Sequence, residues 1–354
     1  MIRIGIITIN DDDNYGNRLQ NYAVQEILKK ENFEPVTLKN EMLLNSRKHF
    51  VIRLLKFVLY KYKKLRKRTS ERYFKFKEFN KNINFSKNIV LPFSKISKNY
   101  DFFIAGSDQI WKPTYGRMRD VDFLCFANDN QKISFSASFG ISELPENKKE
   151  YAKKNLETFK AISVREDAGK KIVKELTGRE DVEVLVDPTM LLSAEEWDLV
   201  SKRPEQLKSD KYILNYFLGE LPEKWNKEIK RIAKENNCEI INILDKSSQF
   251  YKTGPSEFLY LEKNAFLICT DSFHSCVFSI IYDKPFINFN RTDNRVNMNS
   301  RLDTLLTKFN LTNRRFKNEI TEELLICDYS EAKKILEKEK EKSMKFLKKA
   351  LDIE

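Results

Sequence analysis

Compact apolar runs alternate with segments of helical periodicity along this chain, and this alternation constrains the fold more than any other feature of the sequence. In the first half the apolar runs each end in polar or glycine residues; they are 2–9, 35–38, 100–105, 132–136, 161–164 and 182–186. The segments 17–31, 148–159 and 166–177 have the spacing of helices. Such runs are typical of parallel strands buried on both faces. The pattern therefore predicts an α/β fold with helices covering a parallel sheet.

The second half repeats this pattern after a polar stretch at 202–211. Its apolar runs are 212–218, 239–244, 265–269 and 285–289, and its helical segments are 224–235, 257–263 and 273–282. A chain of 354 residues exceeds the size at which one core keeps growing. We predict an N-terminal α/β domain at 1–201, a linker at 202–211, a C-terminal α/β domain at 212–329 and a C-terminal helix at 330–354. Two Rossmann-like domains of this kind are expected to face a cleft at the carboxyl ends of their strands, where ligands bind.

Composition excludes several classes of protein. No apolar stretch reaches the roughly 18 residues needed to cross a bilayer, and the apolar N-terminus is too short for a secretion signal, so we expect a cytoplasmic protein. The five cysteines have no C-x-x-C spacing and are expected to be buried, reduced thiols. We predict neither a metal site nor a cofactor.

The net charge of +12 is concentrated in one segment. Residues 47–72 contain eleven basic side chains against the single acid Glu71, a net +10, so the rest of the chain is nearly balanced. A general surface for nucleic acid is therefore not predicted. Apolar residues of this segment have helical spacing, with basic residues opposite or flanking them: Val51, Leu54, Leu55, Val58, Tyr62 and Leu65. This spacing suits a helix lying on an anionic membrane, and equally a helix packed on the first domain.

The turn Thr270-Asp271-Ser272-Phe273-His274-Ser275 follows a buried strand and begins a helix. Free backbone N–H groups and the helix dipole make such a position suited to an anion. His274 lies in the first turn of this helix, where it acts on a ligand or merely caps or packs. Ser272 could be only the N-cap.

Two turns in the first half have a similar layout. In Gly106-Ser107-Asp108-Gln109-Ile110-Trp111 a glycine follows a buried strand, and Asp108 or Gln109 could face a ligand. Arg165 ends another strand and offers a planar fork of donors for phosphate or carboxylate. The competing interpretation of Arg165 is an ion pair with Glu166 or another neighbour.

Together these segments resemble the polysaccharide pyruvyl transferase family over roughly residues 1–310. The motifs that carry the resemblance are Gly16-Asn17-Arg18-Leu19-Gln20-Asn21-Tyr22-Ala23, Gly106-Ser107-Asp108-Gln109-Ile110-Trp111, Ser136-Ala137-Ser138-Phe139-Gly140, Ser163-Val164-Arg165-Glu166, Val186-Asp187-Pro188-Thr189, and Thr270-Asp271-Ser272-Phe273-His274 with Lys284-Pro285-Phe286. The resemblance implies a two-domain fold like that of B-type glycosyltransferases, with phosphoenolpyruvate as donor and a sugar as acceptor. It also implies that His274 is the catalytic histidine and that Arg165 binds the donor.

The chain departs from the family pattern next to this histidine. Ser272-Phe273-His274 stands where members commonly have Arg-Leu-His, so a donor-binding cation is missing at Ser272, and Ser275 stands where glycine is usual. Candidates to replace the cation are Arg291, Arg295 and Arg301. We assign Ser272 and Phe273 to the donor side as well. On the acceptor side the assigned residues are Asn17, Gln20 and Gln109, with Asp108 as a catalytic base.

These assignments predict a ketal pyruvyltransferase. His274 protonates the methylene carbon of phosphoenolpyruvate, and two hydroxyls of a bacterial surface glycan, linked to polyprenyl diphosphate, take up the resulting group. One alternative is a sugar-nucleotide-dependent glycosyltransferase of the same fold, in which Glu257 after Gly254-Pro255-Ser256 holds the ribose. Another is a non-catalytic module that binds glycan or membrane.

Overall fold

A computed structural model describes residues 1–10, 13–40, 54–55, 58, 70–114, 116–291 and 300–353. The chain forms two compact units. Unit 1 comprises Met1–Thr69, Asn80–Leu191 and Glu339–Glu354, and unit 2 comprises Ser70–Phe79 and Leu192–Lys338. Each unit is built on a parallel sheet, which confirms the predicted α/β fold class.

The sheet of unit 1 has, among the residues described, seven strands in the order β3-β2-β1-β4-β5-β6-β7. They are β1 Arg3–Ile7, β2 Glu34–Lys39, β3 Phe85–Ile89, β4 Phe102–Ala105, β5 Lys132–Ala137, β6 Ala161–Val164 and β7 Glu183–Val184. All neighbouring strands pair in parallel. The strand order reverses between β1 and β4, and open α/β sheets usually bind ligands at such a switch point.

The sheet of unit 2 has the order β11-β10-β8-β9 and is also parallel throughout. Its strands are β8 Tyr212–Tyr216, β9 Glu239–Asn242, β10 Leu267–Thr270 and β11 Phe286–Asn288. Apolar side chains of strands and helices form its core, among them Ile213, Ile229, Leu267 and Ile287.

Helices connect the strands of both units. They are α1 Tyr15–Lys30, α2 Glu71–Phe79, α3 Glu146–Leu156, α4 Asp167–Thr177, α5 Ala194–Asp198, α6 Glu223–Glu235, α7 Pro255–Asn264, α8 Phe273–Ile281, α9 Ser300–Lys308 and α10 Ser330–Ala350. Short 3-10 turns lie at Asn80–Asn82, Ser97–Asn99, Asp129–Gln131, Pro188–Leu191, Gln249–Lys252, Thr312–Arg314 and Glu322–Leu325. Apart from the helix predicted within the basic segment, the predicted strands and helices are present, whereas β3, α2, α5 and α9 were not predicted. β3 gave no signal because its residues are mostly exposed.

The division into units differs from the predicted domain boundaries at three places. The segment 192–201, predicted to end the first domain, belongs to unit 2, where Trp197 packs against Phe278 with ring centroids 5.2 Å apart. Helix α2 also belongs to unit 2, since the Arg72 guanidinium donates to the carbonyls of Tyr251 and Thr253. The end of α10 belongs to unit 1, where Phe346 stacks on Phe135.

The basic segment lies largely outside the described residues. Leu54, Leu55 and Val58 are described, have helical conformation and are 41%, 63% and 58% exposed. The amphipathic helix as a whole stays a prediction. In the described part of the chain, no helix is both long and apolar enough to cross a membrane. All five cysteines are free, but only Cys269 and Cys276 are buried, because the other three lie near the surface of their units.

Candidate active site

The turn between β10 and α8 is fixed by its own polar groups. The Thr270 hydroxyl donates to the Tyr216 carbonyl at 2.6 Å and accepts from the Ser272 amide at 3.0 Å. Ser272 has the extended backbone of an N-cap residue, yet its side chain makes no capping hydrogen bond to the described residues. All nine residues of α8 are buried, and His274 in its first turn is only 7% exposed. The helix therefore holds the imidazole firmly at the end of a buried strand.

Asp271 organises the neighbouring loop and was missed as a site residue by the sequence analysis. Its carboxylate accepts from the backbone amides of Leu218 and Gly219 at 2.7 and 2.8 Å. A Cβ atom at Gly219 would lie 3.1 Å from Asp271 Oδ2, so glycine permits this close approach. The adjacency of β8 and β10 creates the contact, and the sequence alone does not reveal which strands are neighbours.

Two of the three candidate arginines lie at this turn. The Arg291 Nε atom is 3.5 Å from Asp271 Oδ2, and its side chain is 13% exposed. The Arg301 guanidinium carbon lies 5.6 Å from the centroid of the Phe273 ring, and Arg301 is 8% exposed. Phe273 in turn meets the His274 imidazole edge to face at 5.4 Å. The third candidate, Arg295, lies outside the described residues. Two arginine side chains thus lie near the N-terminus of α8.

Arg165 has a different environment, in unit 1. Its guanidinium donates to Asp187 Oδ2 at 2.5 Å and to Asp108 Oδ1 at 3.0 Å. Burial, which alone lowers the pKa of this guanidinium, is outweighed by Asp187, Asp108 and Glu166, and its pKa is raised. The side chain is 1% exposed. The geometry therefore favours the competing interpretation, in which Arg165 forms an ion pair. Its partners are Asp187 and Asp108, whereas the sequence analysis named Glu166 or another neighbour.

The two aspartates connect Arg165 to other motifs of unit 1. Asp187 also accepts from the hydroxyls of Ser107 and Thr189 at 3.0 and 2.7 Å. Asp108 has a φ of +67° and a side chain that is 10% exposed. The segments around 106, 165 and 187 thus meet at one buried cluster, and Asp108 is its most exposed member.

The predicted acceptor residues are mainly internal. Gln20 is fully buried: its amide donates to the Thr8 hydroxyl at 2.7 Å, and its carbonyl accepts from the Ser107 amide at 3.1 Å. Because Thr8 follows β1 and Ser107 follows β4, Gln20 bridges the switch point of the sheet. Asn17 is 3% exposed, and Gln109 is half-buried and packs closely on Gly140. The Gln20 side chain is therefore enclosed by protein groups at the switch point of the sheet.

The N-terminus of α7 is already occupied by protein groups. Glu257, with a side chain 5% exposed, accepts from the Gly254 amide at 2.8 Å and pairs with Lys75 Nζ at 2.5 Å. A Cβ atom at Gly254 would lie 2.6 Å from the Lys75 Cβ atom, so α2 approaches this end of α7 very closely. Both oxygens of the Glu257 carboxylate are therefore engaged by protein groups.

Comparisons with known proteins agree with these motifs. A family model described as polysaccharide pyruvyl transferase matches residues 14–294 of the chain. No curated protein sequence matches it significantly. The chain is similar to a protein assigned as a UDP-N-acetylglucosamine 2-epimerase from Listeria monocytogenes, with 10% identity, a TM-score of 0.51, and coverage of 97% of this chain and 90% of that chain. It is also similar to S. aureus MnaA in its UDP co-structure, with 12% identity, a TM-score of 0.50, and coverage of 100% and 98%. At such identities the likeness shows the fold alone, and it confirms the predicted resemblance to the B-type glycosyltransferase fold.

Proposed function

The chain belongs to the polysaccharide pyruvyl transferase family, and we propose that it transfers the enolpyruvyl-derived group of phosphoenolpyruvate to two hydroxyls of a sugar in a bacterial surface glycan. The family assignment supports a transferase of polysaccharide biosynthesis. The observation that carries the finer proposal is the β10–α8 turn, where buried His274 lies in the first turn of a helix whose N-terminal end is near Arg291 and Arg301. An anionic donor and a group that must be protonated both suit this arrangement.

In the proposed reaction, protonated His274 gives its proton to the methylene carbon of phosphoenolpyruvate. The adjacent carbon becomes an oxocarbenium-like centre, and the oxygen of one sugar hydroxyl bonds to it. The proton of that hydroxyl passes to a base, for which Asp108 stays our candidate. The carbon–oxygen bond to phosphate then breaks, inorganic phosphate leaves, and a second hydroxyl closes the cyclic ketal with loss of its proton. General acid catalysis of this kind contributes about 10² to 10⁴-fold.

The donor's phosphate and carboxylate need cations and N–H groups. In our proposal Arg291 and Arg301 supply the cations, Ser272 supplies its side-chain hydroxyl, and Phe273 supplies a backbone N–H group at the positive end of the α8 dipole. An arginine fork matches either anion in a bidentate way. Because Arg165 is committed to Asp187 and Asp108, we propose that it positions Asp108 instead of contacting the donor.

The geometry at α7 argues against a sugar-nucleotide donor. Glu257 was the candidate ribose ligand, and its carboxylate is engaged by Gly254 and Lys75. The Glu257 side chain is 5% exposed and the Lys75 side chain 24% exposed, so a ribose that displaced Lys75 would break a largely buried ion pair, which costs stability. The phosphoenolpyruvate-dependent reaction is therefore favoured over a glycosyltransferase.

We further propose that residues 47–72 dock the enzyme on an anionic membrane, where a polyprenyl-diphosphate-linked acceptor would lie. The net charge of +10 in this segment supports this, since anionic lipid contributes about 1 kcal/mol per basic residue near the surface. The exposed side chains of Leu55 and Val58 also support it, because they offer apolar contact beside that charge.

A ligand-stabilisation experiment tests the choice of donor. Thermal unfolding is measured with phosphoenolpyruvate, with inorganic phosphate or with UDP-N-acetylglucosamine, for the unmodified protein and for Arg291→Gln. A ligand that binds only the native state raises the free energy of unfolding by RT ln(1 + [L]/Kd). We expect stabilisation by phosphoenolpyruvate beyond that by phosphate, weakened in Arg291→Gln. Stabilisation by the sugar nucleotide alone would replace our proposal with the glycosyltransferase.

A further inference from the structure

A buried glutamate contacts the helix that carries His274. Glu262, on α7, is fully buried, and its Oε1 atom accepts a hydrogen bond from the Ser275 hydroxyl at 2.6 Å. Ser275 directly follows His274 in the first turn of α8 and is itself fully buried. The bond links the first turn of α8 to the neighbouring helix at one defined point.

The surroundings of Glu262 favour a neutral carboxyl. Its Oε2 atom has no hydrogen-bond partner in the part of the chain that the structure describes. Burial raises the pKa of the Glu262 carboxyl well above its usual value, and the hydrogen bond from Ser275 lowers it only in part. A buried carboxylate without a cation costs several kcal/mol, so the group retains its proton instead.

Titratable and charged groups on the elements around α7 do not change this conclusion. Cys276 and Tyr282 from the α8 side and Tyr212 from β8 are uncharged at neutral pH, because burial raises the pKa of each. The two nearby lysines have other partners. Lys75 of α2 pairs with Glu257, and Lys263 of α7 pairs with Asp198 of α5. Among the residues described, no basic side chain forms an ion pair with Glu262.

We propose that Glu262 is a positioning residue, whose neutral carboxyl holds Ser275 and through it the first turn of the helix that presents His274. The expected effect on catalysis rests on the proposed function, whereas the protonated state of the Glu262 carboxyl does not. A displacement of about 1 Å in a catalytic group can cost about 10²-fold in rate, so one hydrogen bond in this turn matters. Glutamine preserves the shape, the neutrality and the hydrogen bond of the protonated acid. Leucine preserves only the approximate volume.

Stability against pH tests the buried proton without any substrate. Since the folded state keeps a proton that the unfolded state loses above about pH 4, stability due to Glu262 is present at low pH and is lost as pH rises toward the folded pKa. Urea unfolding is measured at pH 5.5, 7.0 and 8.5 for the unmodified protein, for Glu262→Gln and for Tyr282→Phe as a control beside it. We expect Glu262→Gln to gain stability relative to the unmodified protein as pH rises, with a slope equivalent to about one proton. The free energy of unfolding of Tyr282→Phe should change with pH as that of the unmodified protein does. If the free energy of unfolding of Glu262→Gln also changed with pH in parallel with the unmodified protein, the proposal would be overturned.

Kinetics and the histidine NMR signal test the positioning. We expect Glu262→Leu and Ser275→Ala each to lower kcat about tenfold with little change in the donor KM, and Glu262→Gln to keep kcat within about twofold.

The chain has only two histidines, so the His274 imidazole signal can be assigned by comparison with His274→Ala. That signal should shift in Glu262→Leu and stay in place in Glu262→Gln. If the unmodified protein proves inactive with phosphoenolpyruvate, the proposed function fails, while the NMR and urea results still decide the role of Glu262. The positioning role of Glu262 would be overturned if the His274 imidazole signal did not shift in Glu262→Leu, or if Glu262→Gln lost as much kcat as Glu262→Leu.

Discussion

The Nε atom of Arg291 lies 3.5 Å from Oδ2 of Asp271. Arg291 is three residues after the end of β11, and Asp271 is one residue after the end of β10. The same carboxylate accepts from the amides of Leu218 and Gly219 after β8. One aspartate therefore ties together the carboxyl ends of three adjacent strands and places a guanidinium beside the His274 helix. The cation that this family commonly carries immediately before Phe273 is thus supplied here, in our account, from a neighbouring strand.

The first prediction concerns Arg291. Arg291→Gln removes the charge while keeping much of the side chain's length, so we expect the KM for phosphoenolpyruvate to rise about tenfold or more, in line with the loss of one charge-assisted contact of 1.5 to 3 kcal/mol. Steady-state kinetics with varied donor measure this. The control is Arg231→Gln on α6, an exposed arginine paired with Glu228 and Glu235, which should leave KM unchanged. An effect confined to the acceptor KM would contradict the assignment.

The second prediction concerns Arg165. Its guanidinium holds two buried aspartates, and lysine cannot donate to both in the same planar geometry. We expect Arg165→Lys to lower the free energy of unfolding by about 3 kcal/mol, as when a buried pair is broken. Chemical denaturation measures this, and Arg203→Lys, at an exposed pair with Asp210, should change it by less than about 1 kcal/mol. A fully stable Arg165→Lys with a raised donor KM would restore the direct donor-binding role that the family resemblance implies.

The sequence was sufficient to predict the fold class and most elements, because buried strands and amphipathic helices leave a periodic pattern. It was less informative where burial is partial. Strand β3 is mostly exposed, and α2, which begins at the end of the basic segment, has only three buried residues. The differences between the predicted domain boundaries and the two units have a similar cause, since the packing of Trp197 on Phe278 is a long-range contact. Local periodicity carries no information about it.

For the site, the sequence predicted the positions that lie at strand ends but not the partners of each side chain. It placed His274 in the first turn of α8, and it named Arg291 and Arg301 as possible cations. It did not predict that Asp187 and Asp108 would share Arg165, or that Gln20 would be enclosed between Thr8 and Ser107. These contacts depend on which strands are neighbours in the sheet. The strand order, which interposes β1 between β2 and β4, is not visible in a single sequence.

The third prediction concerns the pH dependence of stability in unit 1. Burial, opposed by Arg117 and reinforced by Asp120, raises the pKa of Asp122 to about 7. The unfolded group titrates near pH 4, so the stability it contributes at low pH is lost as pH rises from about 4 to about 7. Asp122→Asn can still accept from the Arg119 amide, which now bonds to Asp122 Oδ2 at 2.9 Å. We expect this variant to gain stability relative to the unmodified protein between pH 5 and pH 8, by up to about 3 kcal/mol in urea unfolding. A constant difference across that range would contradict the burial of a proton at Asp122.

The fourth prediction concerns the basic segment. If it docks on anionic lipid, replacing Arg53, Lys56, Lys63, Lys64 and Lys67 by Gln should reduce co-sedimentation with vesicles that contain phosphatidylglycerol, and added salt should weaken binding of the unmodified protein. A matched control replaces five lysines of α10 instead: Lys334, Lys338, Lys340, Lys345 and Lys349. Equal, salt-insensitive binding by all three proteins, or binding by none, would reject the membrane role.

The central claim is that His274 protonates phosphoenolpyruvate during transfer to a glycan. Its most direct test is the release of inorganic phosphate from phosphoenolpyruvate in the presence of lipid-linked glycan acceptors, for the unmodified protein and for His274→Ala, with circular dichroism and thermal unfolding showing that the variant stays folded. We predict acceptor-dependent phosphate release by the unmodified protein and a loss of at least about 10²-fold in His274→Ala. Release by a folded His274→Ala within a few-fold of the unmodified protein would contradict the account.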